Sequence, residues 1–239
     1  LIGDKVLIFE KIDSTNEYIK KNYQQLNNGT VVVAIEQTAG KGRKGRSWIS
    51  PRGGLWFSIF IKPKNLKSAF FFTKLSSVTL IKVLKKYKIN AQIKWPNDIF
   101  VNGKKLAGIL TEGIYENSKP IALVIGIGIN INNEIPDELK NKAISLSKIL
   151  QKNLHISGFL KLFLKRFNSY YLKYRKAPHT LTKVWKKNLI IKEGELIRYK
   201  NENYIIEKIE NDYIIISNEV EKKKIFSIHE LEWEENSGN

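Results

Sequence analysis

The dipeptide Asn102-Gly103, set between apolar runs at residues 99–101 and 106–112, fixes an antiparallel hairpin in the middle of the chain. A two-residue turn with both central residues at positive φ matches the right-handed twist of the strands it joins, and Asn-Gly supplies that turn at least steric cost. Around it, residues 31–36, 55–61 and 121–131 read as further strands, and residues 68–87 combine helical periodicity with strong helix formers. Asp13-Ser14-Thr15-Asn16-Glu17 precedes apolar Tyr18, Ile19, Tyr23 and Leu26 and reads as a capping box opening an amphipathic helix. From 135 to 176 the apolar spacing is helical, with Phe159, Leu160, Phe163, Leu164, Phe167 and Tyr170 forming one core-facing stripe. Past Trp185 the pattern changes to short alternating strands at 196–199, 204–209, 213–217 and 224–227, broken by polar turns. The chain of 239 residues is therefore expected to be α+β: a mixed sheet flanked by helices over residues 1–187, and a small β-barrel over residues 188–239.

Composition removes several classes of chemistry. Without cysteine there is no disulfide framework, thiolate metal site or cysteine nucleophile, and His155, His179 and His229 lack metal-ligand spacing, which argues against a zinc enzyme. The longest apolar runs, such as residues 121–131, fall short of a bilayer span, and no basic segment with a following apolar cleavage region opens the chain. A soluble, cytoplasmic protein is expected, with no membrane association. The formal charge of +18 invites a nucleic-acid reading. The lysines, however, are spread over the whole chain and often occupy polar positions of amphipathic stretches, which favours a general lysine bias and predicts no specific DNA binding.

Four segments carry candidate chemistry. Gly40-Lys41-Gly42-Arg43-Lys44-Gly45-Arg46-Ser47-Trp48 combines three glycines with four cations after a strand ending at Gln37, a composition suited to phosphate and carboxylate oxygens. It comes within one residue of a P-loop, but Arg46 stands where that motif demands Lys, and Pro51-Arg52-Gly53-Gly54 follows in place of a helix. On its own the segment reads equally as a mobile solvated loop. Lys94-Trp95-Pro96-Asn97-Asp98 ends a strand; Asn97 and Asp98 are either simple turn formers or a place for a hydrated Mg2+ and the phosphates it bridges. Lys105-Leu106-Ala107-Gly108 returns along the hairpin, its small residues allowing close approach of a ligand and Lys105 supplying a fixed charge; a surface lysine is the plain alternative. Gly126-Ile127-Gly128-Ile129-Asn130 lacks the third glycine of a dinucleotide fingerprint and continues as strand, so it is not a Rossmann turn. A glycine-spaced strand of this kind can leave room for a flat ligand, with Asn130 bonding an adenine edge.

Taken in order, Ser14-Thr15-Asn16, Gln37 with the glycine-cation loop, residues 94–98, residues 105–108 and residues 126–130 resemble the catalytic domain of biotin–protein ligases. The likeness covers about residues 10–132, and the C-terminal β module is similar to the family's small barrel in position and size. Lipoate ligases share the fold and an Asn-Asp turn but lack the glycine-arginine run and the Lys-Trp-Pro-Asn-Asp string. The resemblance implies a class II synthetase-like catalytic domain with an SH3-like barrel, in the compact form without an N-terminal DNA-binding domain. It implies biotin and ATP as substrates with Mg2+, activation of biotin to biotinyl-5′-AMP, and transfer to a lysine of a biotin carboxyl carrier protein; an acyl ligase acting on lipoate is the alternative. Ser14, Thr15, Asn16, Gln37, Lys41, Gly42, Arg43, Lys105, Gly108 and Gly128 would bind biotin. Arg43, Arg46, Trp48, Lys94, Asn97, Asp98 and Asn130 would surround ATP, with Asp98 at the metal and Arg43, Lys105 and Asp98 taking catalytic roles. Lys41 stands where the family usually has arginine, replacing a bidentate fork by a point charge. Monomer and homodimer are both left open.

Overall fold

A computed structural model describes residues 1–62 and 69–232. Seven strands, β1 (Val6–Ile12), β2 (Val31–Gln37), β3 (Leu55–Ile61), β4 (Gln92–Lys94), β5 (Asp98–Val101), β6 (Lys104–Glu116) and β7 (Lys119–Ile129), form one mixed sheet. Their spatial order is β1-β2-β3-β7-β6-β5-β4, with β1 and β2 parallel and every other neighbouring pair antiparallel. The Asn102-Gly103 turn joins β5 to β6 with both residues at positive φ, as the hairpin reading requires.

Helix α1 (Thr15–Asn22) covers one face of the sheet; α2 (Ala69–Leu84), α4 (Ile156–Tyr174) and α5 (Pro178–Lys187) cover the other, with the short α3 (Leu146–Leu150) preceding α4. Strand β3 shows how the sequence sorts the two faces. Leu55, Phe57, Ile59 and Ile61 enter the large core beneath α2 and α4, where Phe57 meets Phe163 edge to face at 5.4 Å. Phe60 joins the smaller cluster around Ile19 of α1, and because side chains alternate along a strand, Trp56 and Ser58 look the same way. Burial of each such aromatic is worth about 1.5–3 kcal/mol. The stripe expected on α4 is in place: Phe159, Leu160, Phe163, Leu164 and Phe167 are buried, and Tyr170 packs against them. Pro178 opens α5 in its first turn, where the missing N–H costs nothing.

The helical spacing over residues 135–176 overreaches. Only residues 146–150 and 156–174 of that range are α-helix, and residues 132–145 form an irregular segment with a 3-10 turn at Asp137–Leu139. Pro136 precedes this turn, and residues 142–144 are drawn into strand-like pairing with Lys105 (Lys105 N to Lys142 O, 2.8 Å; Ile144 N to Lys105 O, 3.0 Å). Residue 68 lies outside the described residues, and the helix it was expected to open is α2, closed by a 3-10 turn at Lys85–Tyr87.

After α5 the chain pairs with the free edge of β4 (Ile93 N to Asn188 O, 2.8 Å; Ile190 N to Ile93 O, 2.9 Å). Four strands then follow, β8 (Leu196–Tyr199), β9 (Glu202–Ile209), β10 (Ile214–Ser217) and β11 (Lys222–Ile225), as an antiparallel sheet ordered β11-β10-β9-β8. A 3-10 turn at Ile228–Glu230 returns the chain so that Glu232 pairs with Arg198 of β8, curling the sheet back on its first strand. The main apolar cluster continues into Ile197, Tyr204, Ile206, Ile214 and Ile216, and Trp95 Nε1 donates to Glu210 O at 2.9 Å, tying the small sheet to the end of β4. Among the described residues no helix is long and apolar enough to cross a membrane.

Candidate active site

Register places one row of residues across five strands on the α1 side: Trp56, Gly128, Gly108, Asp98 and Lys94 are consecutive cross-strand partners from β3 to β4. The two glycines leave a gap in the middle of the row, and the indole of Trp48 lies in it. A Cβ at Gly128 would stand 2.6 Å from Trp48 Nε1, and one at Gly108 would stand 3.0 Å from Trp48 Cζ3. The close approach expected at these glycines is therefore used by a side chain of the protein itself. Trp48 Nε1 is buried without a hydrogen-bond partner. One row further, Ser58, Gly126 and Leu110 are partners, and Gly126 makes room for the amide of Asn16.

At the start of α1 a polar chain is almost sealed from solvent, with Ser14, Thr15 and Asn16 each under 5 % exposed. Thr15 N donates to Gln37 Oε1 (2.8 Å), and Gln37 Nε2 to Ser50 Oγ (2.8 Å). Ser58 Oγ donates to Asn16 Oδ1 (2.5 Å) and lies 2.6 Å from Thr15 Oγ1, which itself donates to Gln37 Oε1 (3.1 Å). Asn16 Nδ2 donates to Glu112 Oε2 (2.7 Å), whose other oxygen accepts from Lys20 Nζ (2.6 Å). The capping box does not form. Ser14 is the N-cap residue, but its side chain caps nothing, because Gln37 already satisfies a first-turn N–H, and Glu17 turns outward to Lys20 and Lys41.

The glycine-cation loop carries hydrogen bonds of its own. Lys41 and Ser47 form a β-bridge, Gly42 N donates to Arg46 O (2.7 Å), Trp48 N donates to Gly40 O (2.9 Å), and Lys44 and Gly45 turn the tip at φ 55° and 72°. No helix follows, consistent with the rejected P-loop. Arg43 reaches across the cleft, Nη1 donating to Asn97 Oδ1 at 3.3 Å. Burial lowers the pKa of its guanidinium and Arg46 adds to this, while Asp98 opposes both. Lys105 pairs with Asp98 at 2.6 Å and lies 4.9 Å from the Trp48 ring centroid.

These groups line a cavity of about 180 Å3: Ser14, Thr15, Asn16 and Gln37 lie on its polar side, Arg43, Arg46, Asn97, Asp98 and Lys105 on its charged side, with Gly108, Gly126 and Gly128 between. A broader groove of about 2010 Å3 adjoins it through Gln37, Ser47 and Trp48, and reaches Asn132, Ile144 and Lys148. Residues 8–130 match the model of the biotin/lipoate A/B protein ligase family. The chain belongs to this family.

Among related sequences, the bifunctional ligase/repressor BirA of Bacillus subtilis is 38% identical over 184 residues, covering 73% of this chain and 56% of that protein. The biotin–[acetyl-CoA-carboxylase] ligase of Paracoccus denitrificans is 34% identical over 127 residues, covering 51% of this chain and 52% of that protein. The chain thus spans about half the length of these curated relatives. Of solved structures, the biotin protein ligase from Aquifex aeolicus in complex with biotin and ATP superposes with a TM-score of 0.79 at 28% identity, covering 96% of this chain and 98% of that one.

Within this ligase fold, all but two of the residues singled out from sequence line the cavity. Lys94 shares a face with Asp98, but its ammonium sits 5.0 Å from the Phe100 ring centroid and does not line the cleft. Asn130 lines neither cavity, and its Oδ1 accepts from Asn133 Nδ2 (3.1 Å). Sequence reasoning missed Ser58 and Glu112, and gave Glu17 only a capping role. Ser58 had a visible signal, as the one polar residue in the seven-residue run of β3. It also missed His229, whose pKa is lowered by burial and by Lys94 and Arg46, so the turn after β11 lies beside the cationic end of the cleft.

Proposed function

We propose that this protein is a biotin–protein ligase: it activates biotin with ATP to biotinyl-5′-AMP and transfers the acyl group to a lysine of a biotin carboxyl carrier protein. The observation that carries the reading is the polarity of one cleft, with neutral amides and hydroxyls at one end and Arg43, Arg46 and Lys105 around a single carboxylate, Asp98, at the other. Biotin has the same two-ended character, a neutral ureido ring and a carboxylate. Asn16 keeps a second amide proton beyond the one given to Glu112, and Ser14 and Thr15 line the same end, so the ring's carbonyl and N–H groups meet both donors and acceptors there.

At the charged end a biotin carboxylate oxygen attacks the α-phosphorus of ATP, forming the C–O–P link of the mixed anhydride as the bond to pyrophosphate breaks. Arg43, Arg46 and Lys105 offset the charge that gathers on the phosphate oxygens, and positioning does the rest. The adjoining groove at Trp48 offers room for the nucleotide, since 180 Å3 is below the roughly 300–1000 Å3 of common small-molecule sites. Among the described residues no three His, Cys, Asp or Glu side chains gather as a metal cage; Asp98 alone fits a magnesium ion held mainly by phosphates and water, which would supply further charge neutralisation. In the second step a neutral lysine amine attacks the acyl carbon and AMP leaves, with Asp98, the carboxylate that lines the cleft, taking the amine's proton.

Biotin labelling of a purified carboxylase carrier domain, with lipoate as competitor, tests this reading. Carrier labelling that excess lipoate leaves untouched is expected; labelling with lipoate instead would move the protein to the other branch of its family.

A further inference from the structure

Lys41 of the glycine-cation loop has a partner that the cleft itself does not explain. Lys41 Nζ lies 3.0 Å from Glu17 Oε1, on the outer side of α1. The same oxygen accepts from Lys20 Nζ at 3.1 Å, and Lys20 in turn holds Glu112 at 2.6 Å, which holds the buried amide of Asn16 at 2.7 Å. A continuous line of charged hydrogen bonds thus runs from the sealed polar end of the cleft to the first cation of the glycine-cation loop. Beyond it, among the described residues, Arg43 to Asn97 is the side-chain bond from the loop's cations to another part of the cleft.

We infer that Glu17 is a positioning residue that latches the glycine-cation loop closed through Lys41. The inference rests on the functional reading above for what the loop encloses, while the Glu17–Lys41 contact involves residues of this chain alone. Both ammonium groups meet the same oxygen, Glu17 Oε1, and Lys41 reaches it as a compact charge on a flexible stem. Anchoring matters as well: Glu17 and Lys20 are about three-quarters buried, whereas Lys41 is half exposed, so the fixed partner is on α1 and the mobile one on the loop. The carboxyl of Glu17 is held below the usual carboxylate range, first by the hydrogen bond from Lys41 and then, against burial, by Lys20. Exposure of Lys41 keeps the pair sensitive to ionic strength.

The test uses the intact, ligand-free chain. Lys41, Arg43, Lys44 and Arg46 are all trypsin sites within the loop, and cleavage there follows the population of the open loop when opening is fast. Glu17→Gln is expected to raise the rate of loop cleavage about two- to fivefold at low salt, the range for a partly exposed ion pair, with cleavage elsewhere unchanged and the far-UV spectrum intact. Added salt should raise loop cleavage of the wild type toward that of Glu17→Gln, and the charge exchange Glu17→Lys with Lys41→Glu should restore part of the protection. Loop cleavage that Glu17→Gln leaves unaltered, or that rises equally at every site, overturns the latch. A second readout, retention of biotinyl-adenylate after gel filtration, should shorten by the same factor while the initial rate of its formation holds. Faster cleavage without any adenylate in the wild type would leave the latch standing and remove the functional reading instead.

Discussion

Replacing Gly126 by alanine should damage the protein through Asn16 alone. A Cβ at this position would lie 2.9 Å from both Asn16 Cγ and Nδ2, and closer still to Oδ1. Asn16 cannot step aside cheaply, because it is 4 % exposed, accepts from Ser58 Oγ at 2.5 Å and donates to the Glu112 carboxylate at 2.7 Å. Displacing the amide forfeits one hydrogen bond to a charged group, about 1.5–3 kcal/mol, and one neutral bond, about 1 kcal/mol. A net loss of about 2–4 kcal/mol after relaxation corresponds to a fall in Tm of roughly 4–16 °C for a chain of this size. The assay is a double-mutant cycle by denaturant unfolding. In an Asn16→Ala background the new methyl has room, so Gly126→Ala should then cost under about 0.5 kcal/mol. Costs that add across the two sites would refute the reasoning, since independent positions add and coupled ones do not.

Arg43→Gly removes the partly buried cation that bridges the loop to Asn97; release of adenylate is expected to rise roughly 10- to 100-fold, from the worth of a charged hydrogen bond. Labelling of bystander lysines in a protein mixture should increase with it, and unchanged selectivity would count against an enclosing role. Asp98→Asn leaves Lys105 without its 2.6 Å partner; if Asp98 serves chiefly in the first step, adenylate formation and acyl transfer fall together, whereas loss of transfer alone assigns it to the amine's proton. Lys74 is nearly buried, with Thr182 Oγ1 at 3.0 Å and, among the described residues, no carboxylate in bonding range; burial holds its pKa below the usual 10.5. Between the lowered value and 10.5 the unfolded chain binds more protons, so stability rises with pH through that window. Lys74→Met should abolish this contribution to the slope and stabilise the protein at neutral pH by about 1 kcal/mol, measured by unfolding at several pH values.

Strands were legible wherever burial imposed a period of two or a continuous apolar run. β3 and β8 fall on the residues their patterns indicate, and the Asn102-Gly103 turn lies where its chemistry demands. β1 left no comparable trace, because an edge strand with Glu10 and Lys11 in its second half breaks the alternation. Helical spacing misled across residues 135–145, of which 142–144 pair with Lys105 in place of continuing a helix. In the cleft, residue types were readable from motif order, but their orientation was not. Strand register puts Gly108, Gly128 and Asp98 in one row, while Asn130, bonded to Asn133, and Lys94, over Phe100, do not line the small cavity. The bond between Glu17 and Lys41 joins segments whose meeting depends on the packing of α1 against β2, which no local pattern encodes.

The most direct test of the ligase reading is mass spectrometry of the purified protein after incubation with MgATP and biotin, without an acceptor. The account predicts a retained biotinyl-adenylate and one pyrophosphate released per adenylate formed. Absence of any adenylate with biotin, under conditions where the protein is folded and lipoate yields one, would contradict it.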